Sequence, residues 1–130
     1  MAPLKEVPFL VNLVESHPQL RVFFFRSDLG NEPVREWLKA LPHNQHRLIG
    51  NKIKSVQFGW PLGMPLVRKM ESGLWEIRID LGDSVGRVMF TITDGVMVLL
   101  HGFIKKSQKT PSTDLALARQ RRASLRRQTI

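Results

Sequence analysis

Apolar residues recur along this chain with two different periods, and the change of period divides it. Val34, Trp37, Leu38 and Leu41, then Leu48, Ile49, Ile53 and Val56, fall three and four residues apart, the spacing of one helix face. Pro42 separates the two runs, and Gly59 with Pro61 closes the second. They predict two consecutive helices, an αα-hairpin, with Asn31 as N-cap, Pro33 in the first turn, and His43 or Asn44 opening the second helix. After Gly63 the period becomes two. In LWEIRID, Trp75, Ile77 and Ile79 point one way and Glu76, Arg78 and Asp80 the other; in GRVMFTI, Val88, Phe90 and Ile92 alternate with Arg87, Met89 and Thr91. Asp94-Gly95 is a hairpin signal. The run VMVLLHGF that follows is apolar on both faces, as a central strand would be.

Two further elements flank this core. Arg21–Phe25, RVFFF, is β-branched and aromatic and predicts a buried strand. From Pro111 to Arg127, Leu115, Ala118 and Leu125 give a thin apolar stripe, beside Arg119, Arg122 and Arg126 on a neighbouring face. Thr110 is the expected N-cap of this helix and Pro111 its first residue. Residues 1–20, punctuated by Pro3, Pro8 and Pro18, are expected to be an N-terminal extension. The order β-α-α-β-β-β-α over residues 21–127 predicts a single α+β domain: an antiparallel sheet covered on one face by the αα-hairpin, with a basic C-terminal helix. The other face is expected to stand partly open and to carry Glu76, Arg78, Arg87 and Met89, joined by His101 and Phe103.

Charge sharpens this picture. The 130 residues carry a formal net charge of +9. Ile104–Ile130 holds eight basic residues and one acid, a net +7, and the other 103 residues only +2. That asymmetry points to a polyanionic partner, or to a solvated basic helix. The chain has no cysteine, which excludes disulfides and thiolate metal sites and fits a cytoplasmic location. Its start lacks the pattern of a signal peptide, and Val96–Leu100, its longest apolar run, is too short to span a bilayer.

The sequence has no phosphate-binding loop, dinucleotide fingerprint, zincin motif or nucleophile elbow. His43 and His46 lack acidic or sulfur partners at a metal-site spacing, so no metal or cofactor is expected. Fixed positive charge remains: Arg78, Arg87, Lys105, Lys106 and Lys109, with His101 close in sequence. Arginine forks and lysine point charges suit phosphate. RNA brings its own nucleophile, the 2′-OH, so cations and a proton-transfer group suffice for cleavage. His101 is the one group here whose ordinary pKa lies near neutrality. Each residue also has a structural reading: Arg78 as an ion-pair partner of Glu76 or Asp80, Arg87 as a cross-strand partner of Glu76, His101 as a half-buried histidine on a backbone carbonyl, and the lysines as a solvated loop.

LWEIRI, GRVMFTI, and above all HGFIKKSQKTP followed by a helix with ALARQR, resemble the RelE/HigB-type toxins of bacterial toxin–antitoxin pairs, specifically the phage-derived Gp49-like branch. The resemblance covers roughly residues 21–127. It implies a ribosome-dependent mRNA endonuclease that inhibits translation and is held inactive by an antitoxin, which often carries a DNA-binding helix-turn-helix. By position it implies catalytic roles for Arg78, Arg87 and Lys106, with Arg87 on the scissile phosphate. His101 is raised by sister branches that use histidine. Lys105, Lys109, Arg119 and Arg122 are the expected RNA contacts. Two departures stand out: Glu76 occupies the place of a RelE lysine, and the RelE tyrosine has no counterpart, Ser112 falling near it. Two alternatives follow from these gaps: a ParE-like toxin that binds DNA gyrase without cleaving RNA, and a degenerate toxin that only partners its antitoxin. For the nuclease, replacing Arg87 or Lys106 by alanine is expected to abolish growth arrest with the fold intact.

Overall fold

Pro33 has a fixed φ and no N–H to leave unpaired, and it opens the first helix of the computed structural model, which describes residues 20–128 without the side chains of 126–128. The first nineteen residues of the expected extension, and the Arg126 and Arg127 side chains, lie outside the described residues. The elements are β1 (Arg21–Phe24), α1 (Pro33–Ala40), α2 (His43–Gly59), β2 (Val67–Glu71), β3 (Leu74–Asp80), β4 (Val85–Thr93), β5 (Val96–Lys105) and α3 (Ser112–Gln128). Glu32, not Asn31, is the residue before α1. Its buried carboxylate is held by Arg26 at 3.3 Å and Arg35 at 3.1 Å.

The sheet has five strands in the order β1-β5-β4-β3-β2. Two features correct the expectation. β2 is an additional edge strand, antiparallel to β3. Its sequence VRKME does not alternate, and Arg68 and Lys69 stand exposed, charge that protects a sheet edge from pairing with another chain. β1 pairs parallel to β5, with Arg21 opposite Val96 and Phe24 opposite Leu99, so the sheet is mixed. Asp94 and Gly95 both adopt positive φ, 52° and 73°, as the tight β4–β5 turn requires.

One face of the sheet meets α1 and α2. α1 packs on β1 and β5, and α2 on β3. Ile49, Ile53 and Val56 of α2 are fully buried against Ile77, Ile79, Val88 and Phe90. Each such side chain contributes about 1.5–3 kcal/mol over its exposed state. Trp60, Trp75 and Phe90 form an aromatic cluster with centroids 5.1–5.9 Å apart. His46 Nδ1–H donates to the Leu38 carbonyl at 2.7 Å, satisfying a group at the end of α1. No group of potential metal ligands occurs among the described residues, and no described helix is long and apolar enough to cross a membrane.

The opposite face is not open. α3 lies on it, with Ala118 fully buried and Leu115 and Leu125 packed against a second core of Leu74, Met89, Val98, Leu100 and Phe103. The thin stripe is enough because the helix is also tied by ions. Arg119 and Arg122 both reach Glu71, at 2.6 and 2.8 Å, and Arg122 donates to the Ser72 carbonyl at 3.0 Å.

A bulge explains why β5 reads as apolar on both faces. Met89 lies opposite His101 and Phe90 opposite Leu99, which leaves Leu100 as the extra residue. Met97 and Leu99 join the α1/α2 core, whereas Val98, Leu100 and Phe103 join the α3 core. Gly102 then faces the Trp37 ring: a Cβ on Gly102 would sit 2.3 Å from Trp37 Cζ3. That close approach accounts for the glycine of the HGF motif.

Candidate functional site

β3 and β4 place Arg78 directly opposite Arg87. Like charges in that position repel, and the chain answers with oxygen. Arg87 is fully buried. Its Nη2 donates to the Ser107 carbonyl in a short contact, and its Nη1 to Thr110 Oγ1 at 3.3 Å. The Thr110 hydroxyl in turn donates to Glu76 Oε2 at 2.6 Å. Glu76, also fully buried, accepts from Arg78 Nη1 at 3.0 Å through its other oxygen. Arg78 Nη2 reaches Gln108 Oε1 at 3.0 Å. The two arginines thus hold the loop that joins β5 to α3, one from beneath and one from its edge. Burial pulls the Arg87 pKa down, and the Glu76 carboxylate pulls it back up. Arg87 Nε is buried without a partner.

Thr110 is therefore the hub of this network and not a helix cap. Pro111 occupies the cap position, its carbonyl accepting the first helical bond from Leu115 N at 3.1 Å, and Ser112 begins the helix. The expectation for Glu76 is also corrected. It leaves no gap on an open face; it is the anion that makes two neighbouring arginines tolerable.

His101 sits under α3 with its side chain 14% exposed. Its Nε2–H donates to Asp114 Oδ1 at 2.7 Å, its Nδ1 faces Arg121 Nη1 at 3.4 Å, and its ring stacks on Phe103 at 5.4 Å. These partners assign the tautomer: proton on Nε2, lone pair on Nδ1. Burial lowers the His101 pKa and Asp114 opposes that shift. His101 is thus held by a carboxylate and not, as in its structural reading, by a backbone carbonyl, and the neighbouring Leu100 carbonyl accepts from Arg121 at 2.8 Å.

Beside this sealed layer an open cleft of about 860 Å³ lies between α2, the β3–β4 turn and the β5–α3 loop. Arg78, Lys106 and Gln108 line it, together with Lys52 from α2, Leu66, and Asp83 from the turn. Lys105 and Lys109 are exposed near its edge in the sequence but do not line it. Of the sequence-derived residues, then, the fold brings Arg78 and Lys106 together at an open cleft. It puts Arg87 beneath the loop that carries Lys106, and His101 apart under α3. It spends Arg122 and part of Arg119 on Glu71, whose pKa those hydrogen bonds lower. Sequence reasoning missed Lys52, which stands on the polar side of α2 with no local signal, and Asp83, which reads as an ordinary turn residue.

The cleft thus brings together one held guanidinium and two exposed ammonium groups, donor types whose geometry and charge suit phosphate. The model of the family described as phage-derived protein Gp49-like (DUF891) matches residues 36–123. That span runs from α1 through most of α3 and includes every residue of the cleft. No curated protein matches the chain.

Proposed function

The chain belongs to the phage-derived Gp49-like family, and from that membership and the cationic cleft we propose that it is the toxin of a toxin–antitoxin pair that cleaves mRNA on the ribosome. The observation that carries this reading is the meeting of Arg78, Lys106 and Lys52 at one cleft. The RNA 2′-OH attacks the adjacent phosphorus and loses its proton. The 5′-oxygen of the next nucleotide leaves and gains one, and a 2′,3′-cyclic phosphate remains. Negative charge builds on the phosphoryl oxygens in between, where Lys106 and Arg78 stabilise it. Arg78 comes pre-positioned: Glu76 and Gln108 fix its guanidinium, so little ordering remains for the moment of reaction. Arg87 acts one step back, as the anchor of the Lys106 loop. His101 serves as a proton-transfer group only when it exchanges its bond to Asp114 for one to the substrate.

The partners in this reading are the cognate antitoxin, the ribosome and mRNA. The test loads ribosomes with a defined message, adds the protein and maps new 5′ ends. Cleavage confined to the decoding site and dependent on ribosomes is expected; an uncut message at protein excess overturns the nuclease. The burial of Arg87 and His101 favours a second reading, a toxin that binds its target without cutting RNA, as a ParE-like inhibitor binds gyrase. Loss of DNA supercoiling by gyrase, with mRNA intact, selects it.

A further inference from the structure

The cleft carries both signs of charge: besides Arg78 on β3, which Glu76 and Gln108 hold, it has two lysines and two carboxylates. Lys52 comes from α2 and Lys106 from the β5–α3 loop, whereas Asp80 and Asp83 flank the β3–β4 turn. All four are exposed. Asp80 is partly committed, its Oδ1 accepting from the Gly82 N–H at 2.8 Å. Apolar surface from Leu66 and Pro65 lies in the same cleft. Its volume of about 860 Å³ falls within the range of roughly 300–1,000 Å³ typical of small-ligand sites.

A nucleotide is also two-sided. Its phosphate is an anion, and its base edge carries donors and acceptors. A phosphate set against Asp80 and Asp83 would meet like charge, so only one orientation is favourable: backbone toward the lysines, base toward the turn. A carboxylate accepts hydrogen bonds and cannot donate them. It therefore pairs with a base edge that offers adjacent N–H groups. Guanine presents two, N1–H and the exocyclic amine. Uracil presents one N–H flanked by two carbonyl oxygens, which an aspartate repels.

We propose that this cleft is a base-reading subsite for single-stranded RNA, in which Lys52 and Lys106 hold the phosphate and Asp83 selects guanine over uracil. The inference rests on the reading of the cleft as an RNA site and adds its specificity. Lys52 contributes affinity without sequence preference, and Asp83 contributes preference, the division usual between phosphate and base contacts.

The experiment measures binding of fluorescent pentaribonucleotides UUGUU and UUUUU to the full chain at fixed low salt, with UUIUU, whose inosine lacks the exocyclic amine, as the intermediate. UUGUU is expected to bind about tenfold more tightly than UUUUU, the lower end of what a bidentate base contact supplies. UUIUU falls between them. Asp83→Asn, which replaces one acceptor oxygen by a donor, levels the three. Lys52→Ala weakens all three alike and lowers the salt dependence by about one phosphate contact. Equal binding of UUGUU and UUUUU to the wild type, or an Asp83→Asn protein that keeps the preference, overturns the subsite and leaves the RNA reading standing. Absence of binding to any of the three also overturns the subsite, whereas the nuclease reading falls only if the ribosome-loaded message stays uncut.

Discussion

Two groups of charged residues meet at the loop between β5 and α3 and have opposite surroundings. Under α3 and its preceding loop, Glu76, Arg87 and Thr110 are sealed from water, with His101 and Asp114 nearly so. A few residues away, Lys106 and Lys52 stand in solvent around the cleft. Arg78 belongs to both groups, bonded to buried Glu76 and lining the cleft. The contrast separates two jobs that positive charge performs. In the sealed layer it compensates loop carbonyls and a buried carboxylate, and removing it leaves partners stranded. At Lys52 and Lys106 in the cleft it stands exposed, with no ion-pair partner among the described residues. Sequence proximity does not tell these cases apart: Arg78 and Arg87 are direct cross-strand neighbours.

Alanine at Arg87 and at Lys106 breaks the comparison most sharply. Arg87→Ala takes the donor from the Ser107 carbonyl and Thr110 Oγ1, removes a cation from beside buried Glu76 and opens a cavity, and it is expected to cost about 3–5 kcal/mol, the range for removing one partner of a buried charge network. That is a large share of an ordinary domain's stability of about 5–15 kcal/mol. Urea denaturation measures it, and a loss under about 1 kcal/mol would show that the layer is not cooperative, since surface changes stay near ±0.5 kcal/mol. Lys106→Ala leaves the urea midpoint unmoved and lowers cleavage about 10²–10³-fold, as for one donor to a developing oxyanion. The sequence alone treats the two substitutions as equivalent, harmless to the fold and fatal to activity. Burial makes only Lys106 a clean probe of the site.

A smaller effect tests the other face of β5. Gly102→Ala pushes a methyl group into the Trp37 ring and is expected to cost about 1–3 kcal/mol by overpacking. In Gly102→Ala/Trp37→Leu the smaller side chain relieves the clash, so the two substitutions couple in a thermal-melt cycle. Additive losses would mean that the glycine serves another purpose. HGF then reads as two residues for the α3 face and one for the α1 face, with no catalytic demand on the glycine.

How far the sequence reveals this molecule follows from the range of each signal. Periodicity is local, and it located α1, α2, β3, β4 and the Asp94-Gly95 turn. β2 escaped because an exposed charged edge strand has no buried face to alternate against. The parallel β1–β5 pairing escaped because it joins residues some seventy-five positions apart with no turn to announce it. Alternation correctly put Glu76, Arg78, Arg87 and Met89 on one face, yet it says nothing of what covers that face. Three small or medium apolar residues on an arginine-rich helix look too few, until Glu71 supplies the ionic ties. At the candidate site, Arg78 and Lys106 were legible through the motif. Lys52 was not, because only tertiary approach brings α2 to the loop.

The smallest expected effect lies where the sealed layer comes nearest to solvent, at His101. Burial lowers its pKa from the ordinary 6.5, and the Asp114 carboxylate partly restores it. The Arg121 guanidinium adds to the lowering, so the net direction stays downward. The sign is fixed by the direction. With a folded-state pKa below the unfolded one, the unfolded chain takes up the proton first as pH falls through 6.5. Stability from this group is therefore complete above that pH, declines below it, and levels off once the folded protein is protonated as well. His101→Gln removes this titration and retains a side chain able to donate to Asp114. The difference between wild-type and variant urea midpoints should fall below pH 6.5, with His17, His43 and His46 common to both proteins and cancelling. A difference that rises instead would mean that the Asp114 ion pair outweighs burial. His101 would then be an imidazolium fixed under α3, acting as a buried cation of the same kind as Arg87.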